Sequence, residues 1–188
     1  GTNYIPLSSA QDHKRIGDGD IGPNTGGMGA YSPAPVFTNK IQKQVNQEMI
    51  EPTLKAMRDL GVPYQGILYA GVMIKDNKAK LVEYNVRFGD PECQVLMLRL
   101  KSDLIELMLG TINGNLNDIE AEWANNHAAT VVMASKGYPN EYKKNTEIKN
   151  LDLAENQEGI EIFHAGTELK DQKILATGGR VLSISASG

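Results

Sequence analysis

A single cysteine, Cys93, stands among the 188 residues, which excludes an internal disulfide and any zinc site built on several thiolates. It lies in Cys93-Gln94-Val95-Leu96-Met97-Leu98, a run expected to pack as a helix, so a catalytic thiol is not the expected reading. No apolar run approaches the roughly 20 residues of a membrane span. The first residues lack a charged segment followed by an apolar one, so the expectation is a cytoplasmic protein without a membrane partner. Basic residues are not in surplus either. Nineteen Lys and Arg face 23 Asp and Glu, for a net charge of −4 and a pI near 5.4. Phosphate neutralisation needs a basic surface, so nucleic acid is not an expected partner, and any nucleotide bound here is a small molecule. Repeats and low-complexity segments are also missing. What is present is 40% hydrophobic residues, enough for one large domain or two small ones.

The segment Glu83-Tyr84-Asn85-Val86-Arg87-Phe88-Gly89-Asp90-Pro91-Glu92 places a carboxylate, a carboxamide and a guanidinium at every second position. Alternate residues of a strand share a face, roughly 6.5 Å apart, so Glu83, Asn85 and Arg87 are expected to converge. A carboxylate and an amide oxygen suit a hard cation such as Mg²⁺, which keeps waters and shares phosphate oxygens, while a guanidinium can clamp a phosphoryl group. The competing reading is a polar edge-strand face.

A second segment, from Ile16 to Phe37, is dense in glycine and proline and reads as a long loop. It fits neither a phosphate-binding Gly-Lys-Ser/Thr loop nor a dinucleotide fingerprint. Asp18 and Asp20 occupy the first two ligand positions of a calcium loop, but Pro23 and Gly29 stand where a glycine and a glutamate are required. What survives is a backbone argument: the glycines allow close approach of a ligand and N–H groups turned toward an anion.

Along the chain, Asn3 to Leu7 read as a short strand, and Thr38 caps a helix that Pro52 is expected to kink or restart and Gly61 to end. Ile67 to Lys75 and Lys80 to Val86 form a hairpin across Asp76-Asn77-Lys78. Asp90 is expected to cap the next helix with Pro91 at its first position, and Ser102-Asp103 a further one. After Trp123 the pattern becomes β, with runs at 129–134, 160–165 and 180–186, so a domain boundary is placed near residue 126. A β domain of about 60 residues with only these strands has little core. His127 and His164 read as structural hydrogen-bonding groups.

Three motifs in order, Gln11-Asp12-His13-Lys14-Arg15, Gly22-Pro23-Asn24-Thr25-Gly26-Gly27-Met28-Gly29-Ala30-Tyr31-Ser32-Pro33 and Glu83 through Glu92, resemble the phosphoribosylamine–glycine ligase family of the ATP-grasp superfamily. The similarity continues through Lys101-Ser102-Asp103-Leu104, Gly137-Tyr138-Pro139, Phe163-His164-Ala165-Gly166-Thr167 and Gly178-Gly179-Arg180-Val181. The resemblance implies an α+β fold: residues 1–125 as the larger ATP-grasp lobe, an antiparallel sheet backed by helices, and 126–188 as a small β-rich C-terminal domain. It implies ligation of glycine to 5-phosphoribosylamine with ATP, through glycyl phosphate, and Mg²⁺ (or Mn²⁺) held by Glu83 and Asn85. Arg87 would stabilise the transferring phosphoryl group, with Lys14 beside it as a second catalytic cation. Asp12, Arg15, Asn24, Thr25, Gly26, Gly27, Met28, Gly29, Asp90, Gly179 and Arg180 would line the substrates; Asp90 could orient an amine and Arg180 contact phosphate. A monomer is implied.

Two departures qualify this. Gln65 to Ile74 carries no further acidic ligand, so the protein supplies two metal donors. The resemblance also begins partway through the family's pattern, so the N-terminal domain and smaller nucleotide-gripping lobe are expected to lie outside these residues, and the chain alone to have little ligase activity. The alternatives are another ATP-grasp carboxylate–amine ligase and a non-catalytic binding module.

Overall fold

A computed structural model describes residues 3–188, an α+β chain that divides into two compact units, each assembled from separated stretches.

The first unit gathers residues up to Ser9, 33–89 and 100–124. Its centre is an antiparallel hairpin of β5 (Tyr69–Lys75) and β6 (Lys78–Asn85), closed by Asp76 and Asn77, both at positive φ as a two-residue turn requires. One face packs on α1 (Asn39–Val45), a π-helical turn (Asn46–Ile50) and α2 (Glu51–Asp59), where Ile41, Val45 and Ala79 are buried with Val72 and Ile74 against them. Thr38 caps α1 by accepting the Ile41 N–H, and Pro52 stands in the first turn of α2, where a missing N–H does no harm. The chain stays helical through Pro52 without a restart, and the π turn ahead of it accommodates the missing N–H. Asp103 caps α4 (Leu104–Asn113) through the Ile105 N–H. Residues 3–7 form no strand; Tyr4 instead donates a 2.8 Å hydrogen bond to Glu51.

The second unit joins 10–32, 90–99 and 125–188. Its five-stranded antiparallel sheet has the order β1 (Gln11–Asp12), β4 (Gly29–Ser32), β7 (Ala128–Ala134), β12 (Arg180–Ser187), β9 (Ile160–His164). α3 (Glu92–Met97) packs on it, burying Val95 against Ala30 and Ala128. Two smaller elements complete the unit: the hairpin β2 (Arg15–Gly17) and β3 (Ile21–Asn24), and a sheet of β8 (Thr146–Ile148), β10 (Thr167–Lys170) and β11 (Lys173–Ala176). α5 (Leu151–Glu155) follows β8.

Two expectations change here. The segment from Ile16 is not an irregular loop; it contains β2, β3 and β4, the last buried through small residues that tolerate close strand approach. The core missing from a 60-residue β domain is supplied from upstream. β4 pairs with β7 and α3 covers them, so by packing residues 10–32 and 90–99 join the stretch after 125, whereas the chain-order reading divides near 126.

Candidate functional site

The first unit carries the alternating residues, and a β-bulge decides where they point. On β6 Ala79 faces the helices, so counting by twos would bury 81, 83 and 85 beside it. The register shifts between the pairs Val72↔Leu81 and Gly71↔Glu83, leaving Val82 as an extra residue. After this bulge Tyr84 takes the core side, with its hydroxyl donating to the Met49 carbonyl at 2.9 Å and 3.0 Å from the Thr53 hydroxyl. Glu83 and Asn85 therefore share the opposite face. A bulge that re-aims side chains is common beside active sites, and nothing in the alternation of residue types foretold this one.

Across from Glu83 stands Gly71, where an added methyl group would lie 3.1 Å from the Glu83 Cγ; the missing side chain leaves the carboxylate room to lie over β5. Neither the Glu83 carboxylate nor the Asn85 carboxamide has a hydrogen bond or ion pair to any described residue. They are two oxygen donors, one anionic, on one strand face and without protein partners. Among the described residues no group of three His, Cys, Asp or Glu side chains converges, so the pair suits a cation that completes its shell with water and phosphate oxygens, as Mg²⁺ does.

Arg87 does not follow the alternation. β6 ends at Asn85, and Arg87 lies in the bend beyond it, with Nη1 donating to the Phe88 carbonyl at 2.7 Å. The expected three-residue face is a two-residue face, because the Gly89-Asp90-Pro91 turn cannot continue a ladder. The guanidinium is exposed and retains most of its donors.

The second unit collects the remaining candidates. Asp12, at the end of β1, has a buried carboxylate with its side chain 8% exposed, and the half-exposed Lys14 ammonium lies 3.1 Å from Oδ2. This contact is an ion pair rather than an aligned hydrogen bond, and neither carboxylate oxygen has another donor. Arg15 donates to the Gly22 carbonyl at 2.6 Å, bracing the β2–β3 hairpin, and the Asn24 side chain is exposed at the end of β3. Between β3 and β4, residues 25–28 were expected to offer N–H groups to an anion. In this structure all four are taken: Thr25 N–H by the Lys14 carbonyl, Gly26 by the Tyr138 hydroxyl, Gly27 by the Thr25 hydroxyl and Met28 by the His13 carbonyl.

The space left by the glycines is also filled from within. A methyl group on Gly26 would lie 2.9 Å from the Arg180 Cζ, and one on Gly27, at φ +114, would lie 2.5 Å from Pro91 Cδ and 2.9 Å from Asp12 Oδ1. The groups that press on these glycines belong to the protein itself. Arg180, at the start of β12, donates to the carbonyls of Gly26 (2.9 Å), Gly27 (3.4 Å) and Asp90 (3.0 Å) and to the Asp90 carboxylate (2.9 Å). The other Asp90 oxygen accepts from Gln94 at 3.0 Å. Asp90 therefore does not cap α3, whose N-cap is Pro91, and each of its carboxylate oxygens already accepts one side-chain hydrogen bond. Gly179 lies under the Tyr138 ring.

Three contributors were not singled out from the sequence: Gln94, which shares Asp90 with Arg180; Arg99, buried, donating to the Ser32 hydroxyl (2.7 Å) and the Asn126 carbonyl (2.8 Å); and the Tyr138 hydroxyl. Only Tyr138 had a signal, in its Gly-Tyr-Pro motif. Burial pushes the Arg99 guanidinium below its ordinary pKa range, and its role is to hold the end of β4 to residue 126.

Comparison with known proteins follows the same stretches. A family model described as phosphoribosylglycinamide synthetase, ATP-grasp (A) domain, matches residues 1–93, and the C domain of the same synthetase matches 128–188. The chain is 54% identical over 187 residues to a phosphoribosylamine–glycine ligase of Brucella melitensis and 55% identical over 192 residues to a chloroplastic one of Arabidopsis thaliana. It aligns along its whole length with both, while spanning 44% and 36% of theirs. A solved phosphoribosylamine–glycine ligase from Thermotoga maritima superposes with a TM-score of 0.86 at 36% identity, over all of this chain and 46% of that one. The chain thus spans less than half the length of these relatives, and with both domain models and the solved structure in agreement it belongs to the phosphoribosylglycinamide synthetase family.

Proposed function

We propose that these residues serve the ATP-dependent ligation of glycine to 5-phosphoribosylamine, which yields glycinamide ribonucleotide, ADP and phosphate by way of glycyl phosphate. The observation that carries this reading is the pair Glu83 and Asn85, turned outward by the bulge and left without side-chain partners among the described residues. Such a pair would hold Mg²⁺ or Mn²⁺ against nucleotide phosphates; the cation, when bound, neutralises charge on the phosphates during transfer. Arg87 keeps guanidinium donors free for the transferring phosphoryl group, and its place on a bend lets it reorient toward one. The half-exposed Lys14, anchored by Asp12, is the second cation in the proposal, with Arg15, Asn24 and the 25–29 segment lining the substrates. Gly179, beneath Tyr138, contributes by shape. Activating glycine as an acyl phosphate asks for cations and positioning rather than a side-chain nucleophile. The stretch to residue 125 would carry the ATP-grasp chemistry and 126–188 its C-terminal support, in a cytoplasmic monomer; the Arabidopsis relative's printed name adds the plastid as a second compartment in the family.

The test uses the chain itself. Substoichiometric Mn²⁺ with ATP should broaden the amide NMR signals of residues 83–85 before others. Glu83→Gln should abolish that broadening while shifting unfolding stability by no more than ~0.5 kcal/mol, because the carboxylate has no partner to lose. Broadening centred elsewhere, or persisting in Glu83→Gln, contradicts the assignment.

A further inference from the structure

Arg180 resembles, in sequence, a cation waiting for a phosphate. Its surroundings give it other work. One edge of the guanidinium is occupied by three backbone carbonyls and a carboxylate from two distant stretches, Gly26–Gly27 and Asp90, and a flat face rests where a Gly26 side chain would be. The side chain is only 24% exposed. Tyr138 grips the same loop from its other side, accepting the Gly26 N–H at 3.1 Å while its ring covers Gly179. That ring is held in turn by Tyr142, edge-on at 6.3 Å, and the 178–179 turn by Ser135, whose hydroxyl and N–H donate to the Gly178 and Gly179 carbonyls at 2.8 Å. With Gly26 held at both its N–H and its carbonyl, neither flanking peptide can flip.

From the loop the restraint passes to the basic motif. The Thr25 N–H and hydroxyl both donate to the Lys14 carbonyl at 2.7 Å, and the Met28 N–H donates to the His13 carbonyl at 2.8 Å. We infer that Arg180 and Tyr138 are positioning residues: they fix residues 25–28 and, through them, the backbone that presents Lys14, and Arg180 does not bind substrate phosphate. Both residues lie in the stretch matched by the C domain, and the loop and Asp90 in the stretch matched by the ATP-grasp domain. The C-terminal stretch then serves the chemistry by holding a loop of the other domain in one shape. The importance of that shape for ligation rests on the function proposed above; the restraint itself does not.

Amide hydrogen exchange on the 188-residue chain separates the two. Tyr138→Phe, which removes one hydroxyl, should speed exchange at Gly26 by about tenfold, the loss of one hydrogen bond's protection. Arg180→Lys, keeping the charge but not the fork, should do the same at Gly27 and Met28, with the strands of the sheet unchanged. Titration with inorganic phosphate should leave the Arg180 Nε–H signal of the unsubstituted chain unmoved. In an active ligase containing these residues, Tyr138→Phe should lower kcat with KM for ATP unchanged, whereas a merely structural role would lower only the yield of folded enzyme. Unaltered exchange at 26–28 in both variants, or a saturable phosphate shift at Arg180, overturns the inference. If Arg180→Lys does not fold, Tyr138→Phe decides alone. Faster exchange with no effect on kcat would leave the restraint standing and remove its link to ligation.

Discussion

The β6 face, with its Glu83 and Asn85 side chains, and the 25–28 loop, with its backbone N–H groups, both carry polar groups that suit a ligand, under opposite conditions. On β6 the Glu83 and Asn85 side chains have no hydrogen-bond or ion-pair partner among the described residues. In the loop every N–H is bonded, two carbonyls are held by Arg180, and the glycine spaces are filled. A polar group without a partner at a surface loses little by waiting for a ligand, since water serves meanwhile. A group already bonded inside the protein must give up that bond first. Open groups are therefore the ones ready for a ligand, as the proposed function asks of Glu83 and Asn85, and closed ones give the segment its shape.

Three substitutions sharpen or break this contrast. The largest effect is expected at Arg87, whose one side-chain hydrogen bond among the described residues goes to the carbonyl of its own neighbour. In an active ligase carrying these residues, Arg87→Ala should lower kcat on the order of 10³-fold, as for other arginines facing a transferring phosphoryl group, and leave the unfolding midpoint in place. A rise in KM with kcat intact would mean that Arg87 only binds substrate. Next comes Gly27→Ala, which combines φ +114 with the Pro91 and Asp12 contacts and should destabilise the chain by about 2–4 kcal/mol in denaturant unfolding. Gly19→Ala, at φ +73 in open space, is the control at about 1 kcal/mol. Equal costs at the two sites would show that the loop is not packed as described. The smallest effect concerns Cys93. Burial pushes its thiol pKa up, and the Asp90 and Glu92 carboxylates add to the rise, so the reactive thiolate is scarcer at neutral pH than in a free cysteine. Alkylation by a neutral maleimide should be slower than for free cysteine at pH 7 and accelerate only above the ordinary thiol range. Fast labelling at pH 7 would show an opened α3.

Much of this was legible beforehand because it rests on local chemistry. The Thr38 and Asp103 caps, the helix irregularity next to Pro52 and the hairpin turn at Asp76-Asn77 depend on residues within a few positions of one another. The Glu83 and Asn85 pair was legible for the same reason. What was not legible depends on partners far along the chain. Asp90 reads as a helix cap until Arg180, ninety residues later, claims its carboxylate. The glycine segment reads as irregular because β4 becomes a strand by pairing with β1 and, far along the chain, with β7, and its small residues carry no alternation of their own. The thin β domain looked coreless because α3 and β4 are outside it in sequence and inside it in packing.

The extra residue at Val82 carries a consequence for how such a hairpin can change. With a period of two, the strand keeps a parity, and Val82 is the place where that parity is reset, so that Tyr84 takes the core side and Glu83 and Asn85 the other. Insertions or deletions of two residues beyond it preserve which side Glu83 and Asn85 occupy; a change of one turns both carbonyl-bearing side chains inward and sends Tyr84 out. The hairpin thus obeys something like a reading frame, and a single lost residue there is a frameshift in space, silent to composition yet capable of emptying the face while every side chain survives.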